Sequence, residues 1–258
     1  MDGLVMKLTA IATAFLLASL PARAEWVEIK LPTGENVKAV YEKPKMVGKV
    51  HAVIYLHGRM LREAGYGDAA DRGYDIAAFA GAFAHAGFVS IAPLRKTPLG
   101  SDNGDDVIDE GLASILGATK FLHQHHDILR ISIVGFGEGG LIALSALSQM
   151  PDLAKGIVLS PSRLSRVGIR AETRNLNTFL NQKAALSIRA PVLLTVGDLE
   201  SRRSKRTANQ VFEALMKAHR QFRFIRNYPG RQRWFHQPRN AFMDNVIAYL
   251  KRYNPGGF

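Results

Sequence analysis

The sequence predicts an α/β fold with a mostly parallel central sheet. Short apolar runs, of the kind found in strands buried on both faces, alternate along the chain with longer segments of helical periodicity. The 258 residues are 47% hydrophobic and 22% charged, which is the composition of an ordinary globular protein. We find no internal repeat and no linker rich in Pro, Gly or Ser. We therefore expect one domain over residues 25–258, with a sheet of about eight strands flanked by helices.

Residues 1–24 have the layout of a secretory signal peptide. Lys7 precedes an apolar run, Leu8–Leu20, and Ala22-Arg23-Ala24 forms a small-x-small cleavage site. The run is too short to span a bilayer, which takes about 20 apolar residues. We expect the mature chain to begin near Glu25, to be secreted or periplasmic, and to have no stable membrane insertion after cleavage.

An antiparallel hairpin opens the predicted sheet. Glu25–Leu31 and Asn36–Glu42 alternate with period two, and the turn residues Pro32-Thr33-Gly34-Glu35 lie between them. Six later apolar runs predict the other strands: His51–Leu56, Phe88–Ala92, Ile131–Val134, Gly156–Leu159, Val192–Val196 and Phe222–Tyr228.

Helical periodicity fills the intervals between these strands. The predicted helices are Tyr74–Ala86, Val107–Leu122, Leu141–Met150, Thr207–His219 and Ala241–Tyr253. Residues 161–190 form the one insertion-like connection, which predicts a small cap or a crossover helix.

The segment Ile131–Leu141 runs from an apolar strand through a glycine turn into a helix of small residues, and it has two interpretations. In the first, Gly135, Gly137 and Gly140 match the dinucleotide-binding fingerprint, in which glycines let the backbone approach a pyrophosphate. The acidic residue expected about 20 positions on is missing, although Arg163 could bind a 2′-phosphate. This interpretation predicts an NADP-dependent oxidoreductase.

In the second interpretation the turn is a nucleophile elbow, Gly-x-nucleophile-x-Gly, which raises a nucleophile above the sheet. Gly135 and Gly139 occupy the two small positions, and the nucleophile position is Gly137, which has no side chain. Because the chain has no cysteine, a thiol nucleophile is also excluded, together with disulfides and zinc–thiolate sites. Ser160 and Ser162 are the hydroxyls considered as substitutes, and nothing predicts a base beside them.

Other residues at strand ends complete the second interpretation. His57-Gly58-Arg59 follows the first long parallel strand, where a backbone N–H contributes to an oxyanion hole together with the residue after the nucleophile. By position these donors are Arg59 and Glu138, and His57 itself is expected to be a packed, hydrogen-bonded loop residue.

An acid and a histidine follow later in the chain. Gly197-Asp198-Leu199-Glu200 places Asp198 at the end of a strand, and His236 lies in the loop between the last strand and the last helix. The order turn, Asp198, His236 is the one that such a site requires, with Asp198 orienting His236 as general base.

Together these residues resemble the α/β-hydrolase superfamily, particularly its dienelactone-hydrolase-like and acyl-esterase-like members. His57-Gly58, the Gly135–Gly140 turn, Gly197-Asp198 and His236 carry the resemblance, which extends over the mature chain. It implies the α/β-hydrolase fold and acyl transfer from ester-like substrates, with no cofactor and no metal. The superfamily has Ser, less often Cys or Asp, where this chain has Gly137.

The net charge of +12 is concentrated in the C-terminal part of the chain. Residues 25–155 carry a net charge of −3 and residues 156–258 a net charge of +14, with Arg231 and Arg233 close to the histidine. Because arginine binds carboxylate and phosphate groups through its bidentate fork, the charge predicts either an anionic ligand or a solvated basic surface. The export signal disfavours nucleic acid as a partner.

The sequence thus predicts an exported relative of serine hydrolases of ester-like substrates, in which Gly137 makes catalysis weak or absent. Two alternatives remain. The chain is a non-catalytic pseudoenzyme that binds a small acyl or anionic ligand, or it is an NADP-dependent oxidoreductase that uses the Gly135–Gly140 turn.

Overall fold

A computed structural model describes residues 24–45, 48–95, 104–160, 184–218 and 220–255. Eight strands form one sheet in the spatial order β1-β2-β4-β3-β5-β6-β7-β8. β1 and β2 are antiparallel, as are β2 and β4, and all other neighbours are parallel. The strands are β1 Glu25–Lys30, β2 Asn36–Glu42, β3 Val50–Leu56, β4 Phe88–Pro93, β5 Ile128–Phe136, β6 Ile157–Ser160, β7 Val192–Gly197 and β8 Phe222–Tyr228.

Helices connect most of these strands. Their bounds are α1 Arg59–Asp71, α2 Ile76–His85, α3 Gly104–His125, α4 Glu138–Gln149, α5 Ala184–Ser187, α6 Arg202–Lys217 and α7 Asn240–Tyr253, with a 3-10 helix at Gln232–His236. Among the residues with assigned positions, no helix is long and apolar enough to cross a membrane.

The core lies on both faces of the sheet because successive strand residues point to opposite sides. In β3, Ala52 and Ile54 pack with the apolar residues of α3, α4 and α6. Val53 and Tyr55 point the other way and pack with residues of α1, α2 and α7. All of β3 is buried, as expected for a central parallel strand covered on both faces.

The predicted sheet of eight strands with an antiparallel start is confirmed, and each predicted helix has an observed counterpart. Helix α1 was not predicted. It begins directly at Arg59, is kinked at Gly65 (φ 84°, ψ 170°), and buries only Leu61 and Ala69, so the sequence shows no apolar stripe there. The predicted signal peptide lies outside the described residues apart from Ala24, and so does most of the 161–190 connection.

The parallel strands bring the predicted site residues to one edge of the sheet. β3, β5, β7 and β8 run in the same direction, so their carboxyl ends lie along the same edge. That edge is where open α/β sheets bind their ligands. The loops that carry His57, Gly137, Asp198 and His236 all leave the sheet there.

Candidate functional site

Gly137 is the turn residue between β5 and α4, and its backbone has an unusual conformation. Its φ is 59° and its ψ is −122°, at the N-cap of α4. This is a strained geometry that an L-residue rarely adopts, and glycine adopts it without a Cβ penalty. A sharp strand-to-helix turn of this kind is the feature that exposes the nucleophile of an elbow.

The two flanking glycines are required by close packing within the turn. A Cβ on Gly135 would lie 2.5 Å from the carbonyl oxygen of Gly139, and a Cβ on Gly139 would lie 2.1 Å from the carbonyl oxygen of Leu56. Both distances are far inside van der Waals contact. Gly139 has no role in the dinucleotide fingerprint, whereas the Gly-x-nucleophile-x-Gly pattern requires a small residue there. The packing therefore favours the elbow interpretation.

Gly137 itself has room for a side chain. The atoms nearest to a Cβ built there would be Nε2 of Gln232, at 3.4 Å, and Cα of Gly58, at 3.5 Å. The missing side chain would thus point toward the loop after β3 and the 3-10 helix that contains His236.

The loop after β3 packs closely on the elbow. A Cβ on Gly58 would lie 3.0 Å from the ring of Phe136, and the Gly58 N–H donates to the hydroxyl of Tyr74 over 3.1 Å. Arg59 is the first residue of α1 and Glu138 is the first residue of α4. Their N–H groups are at helix N-termini, where no intrahelical acceptor exists, so both can donate to a ligand oxygen.

The side chain of Glu138 is buried in an ion cluster beneath the elbow. Arg62 donates to it through Nε and Nη2, over 2.8 and 2.9 Å, and Nη1 of Arg95 approaches the same carboxylate at 3.4 Å. Burial acts to raise the pKa of Glu138, but the charges and hydrogen bonds of the two guanidiniums outweigh it and hold that pKa below its usual range. Glu138 is therefore an anion that ties α4 to α1 and to the end of β4.

His57 has the packed structural role that the sequence predicted. Its side chain is fully buried, Nε2 accepts from the N–H of Arg95 over 3.0 Å, and Nδ1 lies 3.0 Å from the carbonyl oxygen of Gly58. The guanidinium of Arg95 also donates to the His57 carbonyl. Burial, together with the charge of Arg95, holds the pKa of His57 well below its usual range, so the ring is neutral.

His236 ends the 3-10 helix and is packed between aromatic rings. It stacks on Tyr74 with ring centroids 4.8 Å apart and meets Phe136 edge-on at 5.5 Å. Burial and the nearby charge of Arg233 lower its pKa to about 4, so the imidazole is neutral at pH 7. Within the described part of the chain, no hydrogen bond to its ring nitrogens is present.

No hydrogen bond or ion pair joins Asp198 to His236 in the described structure. Asp198 is an exposed residue whose Oδ1 accepts a hydrogen bond from the Gly230 N–H over 2.8 Å. Gly230 has φ 109°, and a Cβ there would lie 2.9 Å from Cβ of Trp234, so this turn requires glycine. Asp198 thereby anchors the turn from which the histidine-bearing 3-10 helix begins.

Glu200 is a second acid in the loop after β7, and the sequence did not single it out. It follows β7 by three positions and is only 7% exposed, and its Oε1 is buried without a hydrogen-bond partner among the residues described. The sequence shows two acids in this loop and gives no sign of which one faces inward. The backbone decides it, because Glu200 packs near Gly197 while Asp198 turns toward Gly230.

A cavity of about 980 Å³ opens at the elbow. Gly58, Arg59, Phe136, Glu138 and His236 line it, so the two residues predicted as oxyanion donors and the histidine border one space. Gln232, the residue nearest to the missing Cβ, also lies in the wall. Cavities of this size are typical of small-molecule sites.

Arginines dominate the charge of this cavity. Arg59, Arg72, Arg231 and Arg233 line it, with Glu63 and Glu138 as the acidic members. Glu138 is already neutralised by the buried arginines behind it, and Glu63 pairs with Arg59. The wall that faces a ligand is therefore net positive.

The remaining sequence candidates lie elsewhere. Ser160 is the last residue of β6, and its neighbour in the sheet is Phe136; Ser162 and Arg163 fall outside the described residues. In the ranges that the structure covers, no group of three His, Asp or Glu side chains is arranged to hold a metal ion.

No protein-family model and no curated protein matches this chain. Solved structures do resemble it. An acylaminoacyl peptidase from Pyrococcus horikoshii matches with a TM-score of 0.68 and 18% identity, over 99% of this chain and 46% of its own. The dipeptidyl peptidase 4 of Porphyromonas gingivalis matches with a TM-score of 0.65 and 15% identity, over 89% of this chain and 35% of its own.

A smaller protein matches over its full length. This protein from Klebsiella pneumoniae subsp. pneumoniae, assigned as a dienelactone hydrolase, has a TM-score of 0.65 and 20% identity, over 89% of this chain and 99% of its own. The present chain thus spans between a third and a half of the two peptidases and almost all of the third protein. At these identities the likeness concerns the fold, which is the α/β-hydrolase fold that the sequence predicted.

Proposed function

We propose that this protein binds an ester-like or acyl ligand in the cavity at the elbow without forming a covalent intermediate, so that hydrolysis is weak or absent. The conformation of Gly137 carries the proposal. The strained backbone at φ 59° and ψ −122° and the close packing of the flanking glycines support an elbow, and the residue at its nucleophile position has no side chain.

The other groups of the site support ligand binding more than turnover. Arg59 and Glu138 line the cavity at the N-termini of their helices, and their N–H groups would polarise a carbonyl bound there. His236 is neutral and could activate a water molecule, but a base with a pKa of about 4 is a poor proton acceptor at pH 7. Serine hydrolases that lose a triad member keep only about 10³–10⁴-fold acceleration over water.

Within this proposal, Glu200 is the better candidate for the acid that orients His236. Among the residues that the structure describes, Glu200 is buried with one oxygen unpaired, and His236, at the same edge of the sheet, has no hydrogen-bond partner. Asp198, the acid that the sequence indicated, is exposed and already occupied by the Gly230 N–H. Asp198 then affects His236 indirectly, because its hydrogen bond to the Gly230 N–H holds the turn that precedes the histidine.

Hydrolysis of 4-nitrophenyl acetate and butyrate tests the proposal. We expect the protein to show neither a burst nor saturable turnover. We expect Gly137→Ser to introduce hydrolysis that His236→Ala removes again. The site has room for the serine, because a Cβ at position 137 would lie 3.4 Å from its nearest neighbour, Nε2 of Gln232. Turnover by the unaltered protein within the usual enzyme range of about 1–10³ s⁻¹ would contradict the proposal.

Export belongs to the same proposal and rests on the sequence of residues 1–24. Expression of the full chain in a Gram-negative host, followed by fractionation and intact-mass measurement, tests it. The expected product is a periplasmic chain that begins near Glu25; an uncleaved cytoplasmic chain would contradict it.

A further inference from the structure

The elbow of this chain has free space where a covalent acyl group would be attached in a serine enzyme. Apart from Gly137 and its two chain neighbours, no atom of the described residues comes closer than 3.4 Å to the position of a Cβ on Gly137, and the closest is the amide nitrogen Nε2 of Gln232. A side-chain amide nitrogen is a hydrogen-bond donor. The vacant volume is therefore flanked by a donor and can accept an oxygen atom of a ligand.

A free carboxylate has the geometry to use that space. In an acyl-serine the acyl carbon carries two oxygens, the carbonyl oxygen in the oxyanion hole and the serine oxygen at the elbow. A carboxylate carries the same two oxygens on one carbon. Without Cβ and Oγ at residue 137, one carboxylate oxygen can approach the Arg59 and Glu138 N–H groups while the other occupies the vacant volume beside Gln232.

The charge around the cavity favours an anion over a neutral ester. Four arginines line the cavity: Arg59, Arg72, Arg231 and Arg233. Arg233 is an exposed residue of this wall, so a ligand can reach it. A carboxylate accepts charge-assisted hydrogen bonds from guanidinium groups of this kind, which are stronger than those that a neutral ester accepts.

We propose that the ligand is a small organic carboxylate, bound with its –COO⁻ group over Gly137 between the two backbone donors and the Gln232 amide. This inference rests on the proposed function, since it assigns the chemical class of the ligand for the same cavity. It also gives Gly137 a role: the missing side chain that prevents acylation leaves room for the second oxygen of the carboxylate.

Calorimetric titration with phenylacetate and 4-phenylbutyrate, each compared with its primary amide, tests the charge requirement. The acid and the amide have nearly the same shape and differ in charge. We expect the carboxylates to bind about tenfold or more tightly than the amides, the usual effect of a charge-assisted hydrogen bond. Arg233→Gln should weaken carboxylate binding and leave amide binding unchanged.

Variants at the elbow test the position of the group. Gly137→Ala fills the vacant volume and should weaken carboxylate binding about tenfold or more, as should Gln232→Leu. Gly81→Ala is the matched control, because it adds the same methyl group on α2, where no described atom outside the helix's own backbone lies within 4 Å of the new Cβ. Each variant is compared at a temperature where circular dichroism shows it folded.

The outcomes separate this inference from the proposed function. Amides or 4-nitrophenyl esters that bind as tightly as the carboxylates would overturn the carboxylate assignment and leave the cavity as a ligand site. Undiminished carboxylate binding by Gly137→Ala would overturn the placement over the elbow. Binding of neither the acids nor the neutral compounds would overturn both proposals.

Discussion

The ion cluster beneath the elbow makes a quantitative prediction about stability. Glu138→Gln removes the negative charge and leaves Arg62 and Arg95, whose side chains are 6% and 0% exposed, without the carboxylate that contacts both. Breaking a buried ion pair by removing one partner costs about 3–5 kcal/mol. Glutamine keeps one acceptor oxygen, so we expect the lower end, about 3 kcal/mol.

Thermal and urea unfolding at pH 7 measure this cost. For a domain of this size each kcal/mol lowers Tm by about 2–4 °C, so Glu138→Gln should lower Tm by about 6–12 °C. Glu63→Gln is the matched control, because Glu63 forms an exposed pair with Arg59, and such pairs contribute at most about 1 kcal/mol. Equal losses for the two variants would refute the assignment of Glu138 to a buried ion cluster.

The stability lost in Glu138→Gln should depend on pH in a defined direction. The pKa of Glu138 is below its usual value in the folded state, so its stabilising effect is present above the unfolded pKa of 4.5 and is lost as pH falls further through the folded value. The stability difference between the protein and Glu138→Gln should therefore shrink below pH 4.5. A constant difference across this range would show that charge is not its cause.

Further predictions concern the elbow, the histidine and the two acids. Gly137→Ser places a side chain on a strained backbone, so we expect urea unfolding to show a free energy of unfolding lower by about 1–3 kcal/mol. A decrease no larger than that caused by Gly81→Ser, on an ordinary helix, would contradict the strain. NMR titration of His236 should give a pKa of about 4, and a value near 6.5 would contradict its packing between rings. Because the histidine of the unfolded chain takes up its proton at a higher pH than that of the folded chain, the contribution of His236 to stability should fall as pH decreases from 6.5 toward 4. In the Gly137→Ser background, Glu200→Gln should lower kcat for 4-nitrophenyl acetate by about 10²-fold or more, the scale of losing general-base function. Asp198→Asn should lower it less, because asparagine can still accept from the Gly230 N–H, and the reverse order would assign the acid to Asp198.

Much of the fold followed from simple patterns. Apolar runs of strand length, such as those in β3 and β7, must be covered on both faces. When helical segments separate such runs along the chain, a parallel sheet covered by helices is the arrangement that the pattern favours. Helix α1 was not predicted, because Leu61 and Ala69 are its only buried residues. A helix with so small a buried face leaves no periodic signal in the sequence.

The site was predictable where backbone chemistry restricts the residue type. The glycines at 135 and 139 fit only a tight turn, and that turn fixed the position of Gly137. The directions of the acidic side chains were not predictable, because Asp198 and Glu200 are two positions apart in one loop. Their exposure depends on how that loop packs against Gly230, a contact between residues 32 positions apart.

The ion cluster was also hidden from the sequence. Glu138 was identified for its N–H, and nothing in the chain connects it with Arg62 or Arg95, 76 and 43 positions away. The pairing arises because the ends of β3, β4 and β5 meet at one edge of the sheet. Long-range pairings of this kind require the assembled sheet.

Reaction with a fluorophosphonate, followed by intact-mass measurement, tests the central claim that the elbow carries no nucleophile. The protein should acquire no adduct, while Gly137→Ser should acquire one per chain, and His236→Ala in that background should remove it. An adduct on the unaltered protein would contradict the account, since it would reveal a nucleophile elsewhere in the site. A folded Gly137→Ser variant that stays unlabelled would contradict the assignment of the elbow.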